Sequence, residues 1–202
     1  MLKHLIIETI MQWLIFLIIP VVVYLIFFRK KEGFLSFLGL KKIQRVEKSL
    51  LIKISIVSIV YIAISIFWTQ KYTLGSDDIR LLSFKQSGLS IQTVLIIFIH
   101  SIIRTSFLEE IVFRGFLINS LRYKLKFKIA NHIQALIFAG IHVLAMLSFD
   151  TIDMVMCATA IYILSIYFGK ITKASEYSVF YSSILHGALN ILAGFIFILM
   201  SI

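Results

Sequence analysis

Two adjacent glutamates, Glu109 and Glu110, an arginine at Arg114, a histidine at His142, and a His186/Asn190 pair four residues apart all fall inside long apolar runs of this sequence. An ionisable side chain in such a run is costly to desolvate, so each needs a partner, a water-filled cavity or a function. As a set, they supply what peptide-bond hydrolysis requires: a base for water, donors aimed at a developing oxyanion, and an acid for the leaving amine.

Spacing suggests how the work divides. Glu110 and Arg114 stand at i and i+4 with the acid on the N-terminal side, the favourable order for an ion pair on one helix face. Glu109 then points about 100° away around the helix, clear of that clamp and able to face a cavity. His186 and Asn190 share a face by the same rule, and both side chains can donate hydrogen bonds toward one point. Phe138 precedes His142 by one turn and is placed to pack against its ring. Glu109, His142, His186 and Asn190 are the candidate catalytic residues, with Glu110 and Arg114 in support.

Each feature also has a structural reading. The Glu110–Arg114 pair reads more readily as a structural clamp than as chemistry, whereas Glu109 reads as functional. One histidine in a helix is usually a satisfied core residue, but two of them with two glutamates and an asparagine favour a site. His100 and His132 fall outside the constellation, His132 as a helix-start or interfacial residue, and His4 is terminal and solvated. Arg104 either supports the site from behind or snorkels to the outer interface. Asp150 and Asp153 read as helix-end or N-cap residues in an outer loop. The one cysteine, Cys157, reads as a small buried apolar side chain and excludes an internal disulfide.

The elements that must hold these groups are membrane helices. Of 202 residues, 60% are hydrophobic and 15% charged, an apolar balance that belongs in a bilayer. Six stretches, 5–28, 49–68, 89–121, 129–147, 153–169 and 179–202, are apolar enough to span a hydrocarbon core, which takes about 20 helical residues. Backbone groups in lipid must bond internally, and these runs are too long for barrel strands, so an all-α polytopic bundle follows, its site buried between the third, fourth and sixth helices. The first run is too long for a secretory signal and lacks a cleavage pattern, so it reads as a retained span. The third is overlong and must tilt, bend, or begin as an interfacial segment near Leu89. Counted inward from the basic ends at about 1.5 Å per residue, Glu109, His142 and His186 reach one level, roughly 15 to 20 Å deep.

Seven Lys or Arg residues fall in 29–48, four in 122–128 and two in 170–173. By the positive-inside rule these loops share the cytosolic side of a cell membrane and both termini lie outside. The net charge of +10 therefore reads as attraction to the anionic leaflet of the lipid bilayer rather than to nucleic acid. Residues 33–48 read as an amphipathic connector, and the chain as a single integral membrane domain over 1–202 with its motif core at about 89–202. The Ile/Lys-rich composition points to a low-GC bacterium.

Glu109-Glu110-x-x-x-Arg114, then Phe138-x-x-x-His142, then His186-x-x-x-Asn190 on successive helices resembles the CPBP family, which groups CAAX prenyl endopeptidases, bacteriocin-processing enzymes and Abi proteins. The motifs cover about half the chain, 101–193, and the first two helices carry nothing diagnostic. The resemblance implies a glutamate-type intramembrane peptidase in which Glu109 and His142 activate water. His186 and Asn190 would correspond to the oxyanion-stabilising pair, and Glu110 and Arg114 to supporting residues. The implied substrate is a small hydrophobic or lipid-modified peptide, in bacterial peptide maturation or bacteriocin self-immunity.

Other protease designs lack their residues: there is no His-Glu-x-x-His helix, no Gly-x-Ser-x-Gly elbow and no aspartate pair within the spans. Two histidines and a carboxylate suffice as zinc ligands, which leaves a zinc-dependent metalloprotease as an alternative, but the same groups suffice without metal, and no metal or other cofactor is assigned. A non-catalytic immunity or scaffold protein is a second alternative, and a proton-coupled transporter a third, disfavoured by six spans without an inverted repeat.

Overall fold

The computed structural model describes residues 2–73, 88 and 90–201. Among these there is no strand, and six helices are long and apolar enough to cross a membrane: α1 (Leu2–Phe28), α2 (Lys48–Tyr72), α3 (Ile91–Arg122), α4 (Phe127–Met146), α5 (Thr151–Ala174) and α6 (Phe180–Met200). The expected polytopic helix bundle and its span count are thus observed. Leu89, where an interfacial start to the third helix was expected, lies outside the described residues; the helix begins behind Ser90, whose hydroxyl caps it by accepting from the Thr93 amide.

The overlong α3 accommodates its length by changing its winding. Ile99–Phe107 and Ile111–Leu117 are π-helical, and a short α segment, Leu108–Glu110, lies between them. An i→i+5 turn takes up more residues than an α turn and is concentrated in proteins at functional positions. Here the two wide segments flank Glu109 and Glu110.

α3 packs on α6 and α1, and α5 packs on α4 and α2. Phe113, Phe138, Cys157, Ile161 and Trp68 form one core cluster, while Leu164, Phe168, Ile171, Leu189 and Ile54 form a second. Cys157 is buried and unbonded as expected. The outward faces are apolar, as lipid requires: Ile19 on α1 and Ile59 on α2 are 65% and 69% exposed.

The three basic loops do lie together. Glu32 sits 3.7 Å from Arg122 and 3.9 Å from Lys41, and Lys173 stands over the Phe127 ring. Rather than merely skirting the bundle, residues 33–48 tuck into it. Phe37 and Leu38 are buried, Asn119 Nδ2 donates to the Phe37 carbonyl at 2.8 Å, and the Val179 amide donates to the Gly39 carbonyl at 3.0 Å. This approach requires Gly115: a Cβ there would sit 2.0 Å from the Leu38 carbonyl oxygen. Gly39 itself has φ +75°, a left-handed conformation suited to glycine.

On the opposite side, Asp150 occupies the N-cap position of α5, but its carboxylate caps nothing. It accepts from Lys71 Nζ at 2.9 Å, while Asp153 accepts from Lys71 Nζ and from the Tyr72 hydroxyl, both at 2.5 Å. The capping role expected of these aspartates is replaced by a latch between the end of α2 and the start of α5. Arg104 donates to Gln12 at 3.0 Å and Glu8 at 2.6 Å and so ties α3 to α1. His4 is exposed, and His132, near the start of α4, pairs with the Tyr162 hydroxyl at 2.5 Å.

Candidate active site

Glu109, His142, His186 and Asn190 line one cavity of about 160 Å³ within the bundle. Depth counting from sequence placed these groups at one level, and the fold brings them around one space. The remaining wall is largely apolar: Tyr61, Phe138, Ile161, Leu164, Phe168 and Leu189. Helices α2 and α5 therefore contribute to a site expected from α3, α4 and α6 alone.

Behind the cavity, Glu110 and Arg114 are fully buried and paired, with Nη1 to Oε1 at 2.7 Å. The i, i+4 pairing survives even though the intervening helix is widened. The guanidinium is held on its other sides by the Phe138 and Phe168 rings, with centroids at 4.4 and 5.4 Å, and by Ser165 Oγ, which accepts from Nη2 at 2.8 Å. Ser165 donates in turn to Gln134 Oε1 at 3.3 Å, and Gln134 Nε2 donates to Asn131 Oδ1 at 2.9 Å. Sequence reasoning missed these three residues. The available signal was a run of buried polar side chains, Asn131 and Gln134 on one face of α4, at the three-residue spacing that brings them together.

His186 stands between the two glutamates. Its Nδ1 is 2.9 Å from Glu110 Oε1 and its Nε2 is 3.8 Å from Glu109 Oε2. A carboxylate only accepts, so the Nδ1 proton points at Glu110 and Nε2 is the nitrogen left for the cavity. The ring lies against Phe168, centroids 5.5 Å apart. His142 has the same arrangement with a different partner: Nδ1 donates to the Phe138 carbonyl at 2.8 Å, leaving a Nε2 lone pair. Phe138 packs on its ring at 4.4 Å, as its spacing predicted.

Asn190 departs from the expected pairing with His186. Its Nδ2 donates to Thr105 Oγ1 and to Ser106 Oγ, each at 3.1 Å, so its amide hydrogens are directed into the π-helical part of α3.

Among the described residues no group of three or more His, Cys, Asp or Glu side chains is disposed to hold a metal ion.

A family model described as type II CAAX prenyl endopeptidase Rce1-like matches residues 91–192, half of the chain and all three motifs. Neither the curated proteins nor the solved structures include a match.

Proposed function

Because the chain belongs to the type II CAAX prenyl endopeptidase Rce1-like family, we propose that it hydrolyses a peptide bond within the membrane using water activated by Glu109 and His142. The observation that carries this reading is the shared cavity: a carboxylate and an imidazole Nε2 lone pair face one space large enough for water.

Water held between Glu109 and His142 loses a proton to Glu109 as its oxygen attacks the substrate carbonyl. The resulting tetrahedral oxyanion is met by His186 in its doubly protonated form, with Nδ1–H held by Glu110 and Nε2–H turned to the cavity. Glu109 then passes its proton to the departing amine, and the C–N bond breaks to give a new carboxylate and a new amine. Glu110 and Arg114 take no proton in this scheme. They orient His186 from behind. The apolar wall suits a small hydrophobic or lipid-modified peptide entering from the side that carries the basic loops, which we assign to the cytosol of a bacterial plasma membrane, with peptide maturation or bacteriocin self-immunity as the role.

The test is cleavage of apolar membrane peptides by the purified protein in liposomes, run in ¹⁸O-labelled water. The proposal expects two fragments with one label in the new carboxylate. Intact peptide, with biological activity retained, would instead identify a binding, immunity or scaffold protein.

A further inference from the structure

Tyr61 belongs to two spaces at once. It lines the catalytic cavity, and it also lines an apolar groove of about 390 Å³ in the seam between α2 and α5, where Val57, Val60, Ala160 and Ile163 are among the other walls. Among the described residues no other side chain lines both. At about 1.5 Å per residue, Tyr61 and Glu109 lie equally far, roughly 20 Å, from Lys48 and Arg122, the basic ends of their helices. The ring therefore stands at the level of the reacting atoms. It packs against two core clusters, one built on Phe113 and Phe138 and the other on Leu164 and Phe168, which together hold it in place.

The sizes of the two spaces give this partition a consequence. At about 30 Å³ per water, the cavity of about 160 Å³ has the volume of roughly five waters. That is room for a peptide unit and the attacking water, but not for a bulky side chain beside them. The groove has room for such a side chain and lies beyond Tyr61. Its chemistry suits one: apart from Tyr61, its polar side chain is Thr159, whose hydroxyl is spent on the Val155 carbonyl at 2.7 Å. Its outer lip, with Val60 and Met156 exposed, faces lipid, so an apolar group lodged there stays in apolar surroundings. We infer that Tyr61 is a specificity-determining residue. Its ring closes the cavity against the groove and so limits the substrate residue beside the scissile bond to a small apolar side chain. Without the ring the two spaces join and a large apolar side chain fits. The inference rests on the peptidase reading above and adds to it a size rule for the residue flanking the cut.

The experiment is a specificity series. Fluorogenic peptides that differ only in the residue on one side of the scissile bond, and then on the other, carry Ala, Val, Leu or Phe there and are cleaved in liposomes. At one of the two positions the wild-type protein is expected to favour Ala over Phe by about tenfold in kcat/KM, the scale on which an apolar pocket discriminates size. Tyr61→Ala should invert that order, Phe gaining about tenfold over Ala. Tyr61→Phe should keep the wild-type order, because the ring and not the hydroxyl sets the limit. Ala160→Phe added to Tyr61→Ala refills the groove from a residue that does not line the cavity, and should restore the preference for Ala. Tyr61→Leu serves if the alanine variant does not fold, with a shift toward Phe of about threefold. An unchanged order in folded Tyr61→Ala, an equal loss of activity on every peptide, or a wild-type protein indifferent to size at both positions would overturn the inference while leaving the peptidase reading intact. A wild-type protein that cleaves no peptide would remove that reading, and this inference with it.

Discussion

His186 Nδ1 lies 2.9 Å from Glu110 Oε1, the same oxygen that accepts from Arg114 Nη1 at 2.7 Å. One buried carboxylate thus holds an arginine on one side and fixes the tautomer of a histidine on the other. That coupling makes the adjacent glutamates differ in kind: Glu110 is buried with one oxygen shared between Arg114 and His186, and Glu109 faces the cavity.

Removing one partner of a buried pair leaves the other charge uncompensated. Glu110→Ala is therefore expected to destabilise the protein by about 3–5 kcal/mol, read as a shift in thermal unfolding in detergent. Glu110→Leu combined with Arg114→Leu should recover most of that stability. It should not recover cleavage, because His186 has still lost the acceptor that orients it.

Ser165 connects Arg114 to Gln134 and Asn131. Ser165→Ala removes an acceptor for Arg114 Nη2 and a donor to Gln134 Oε1. The expected cost is about 1–3 kcal/mol in stability, with kcat falling more than KM rises, since the hydroxyl bonds Arg114 and Gln134. Ser165→Thr, which keeps the hydroxyl, should restore kcat if its methyl group is accommodated. Thermal unfolding and steady-state cleavage read the two effects separately.

Gly115→Ala places a methyl group 2.0 Å from the Leu38 carbonyl oxygen, which is backbone and cannot rotate away. The connector must shift, at an expected cost of about 1–3 kcal/mol. Protease sensitivity within residues 33–48 should rise with it.

The latch on the far side should show in the acid range. Hydrogen bonds from Lys71, then from Tyr72, hold the Asp150 carboxyl below its ordinary value of 3.8. A carboxyl with a lowered folded-state value contributes stability that is present above the unfolded value and lost as pH falls through the folded one. The melting temperature should therefore fall as pH drops below about 4, and this part of the fall should be absent in Asp150→Asn.

Much of the architecture was legible because the bilayer enforces it. Apolar run length gave the six spans, and the alternation of basic loops placed 29–48, 122–128 and 170–173 on one face, as the contacts of Glu32 and Lys173 bear out. Side-chain spacing gave the Glu110–Arg114 pair and the packing of Phe138 on His142. What periodicity cannot show is a change in the period itself: the π-helical turns of α3 carry no compositional mark, and they hold Thr105 and Ser106 where Asn190 bonds them. Tyr61 was invisible for a different reason. A tyrosine in an apolar span has no i, i+4 polar partner to mark it, and only the packing of α2 on α5 brings it to the cavity. Asp150 sat where an N-cap belongs, and nothing local in the sequence announced that Lys71, 79 residues earlier, would take its carboxylate.

The water-activating role proposed for Glu109 is tested by Glu109→Gln, because the amide keeps the shape of the side chain while removing the base. Single-turnover cleavage of a membrane peptide should be measured for this variant and the wild type at equal folded amounts, with peptide binding checked in the same liposomes. Cleavage lost by a factor of about 100 or more, with binding and thermal unfolding unchanged, is the predicted result; cleavage at the wild-type rate would contradict the account.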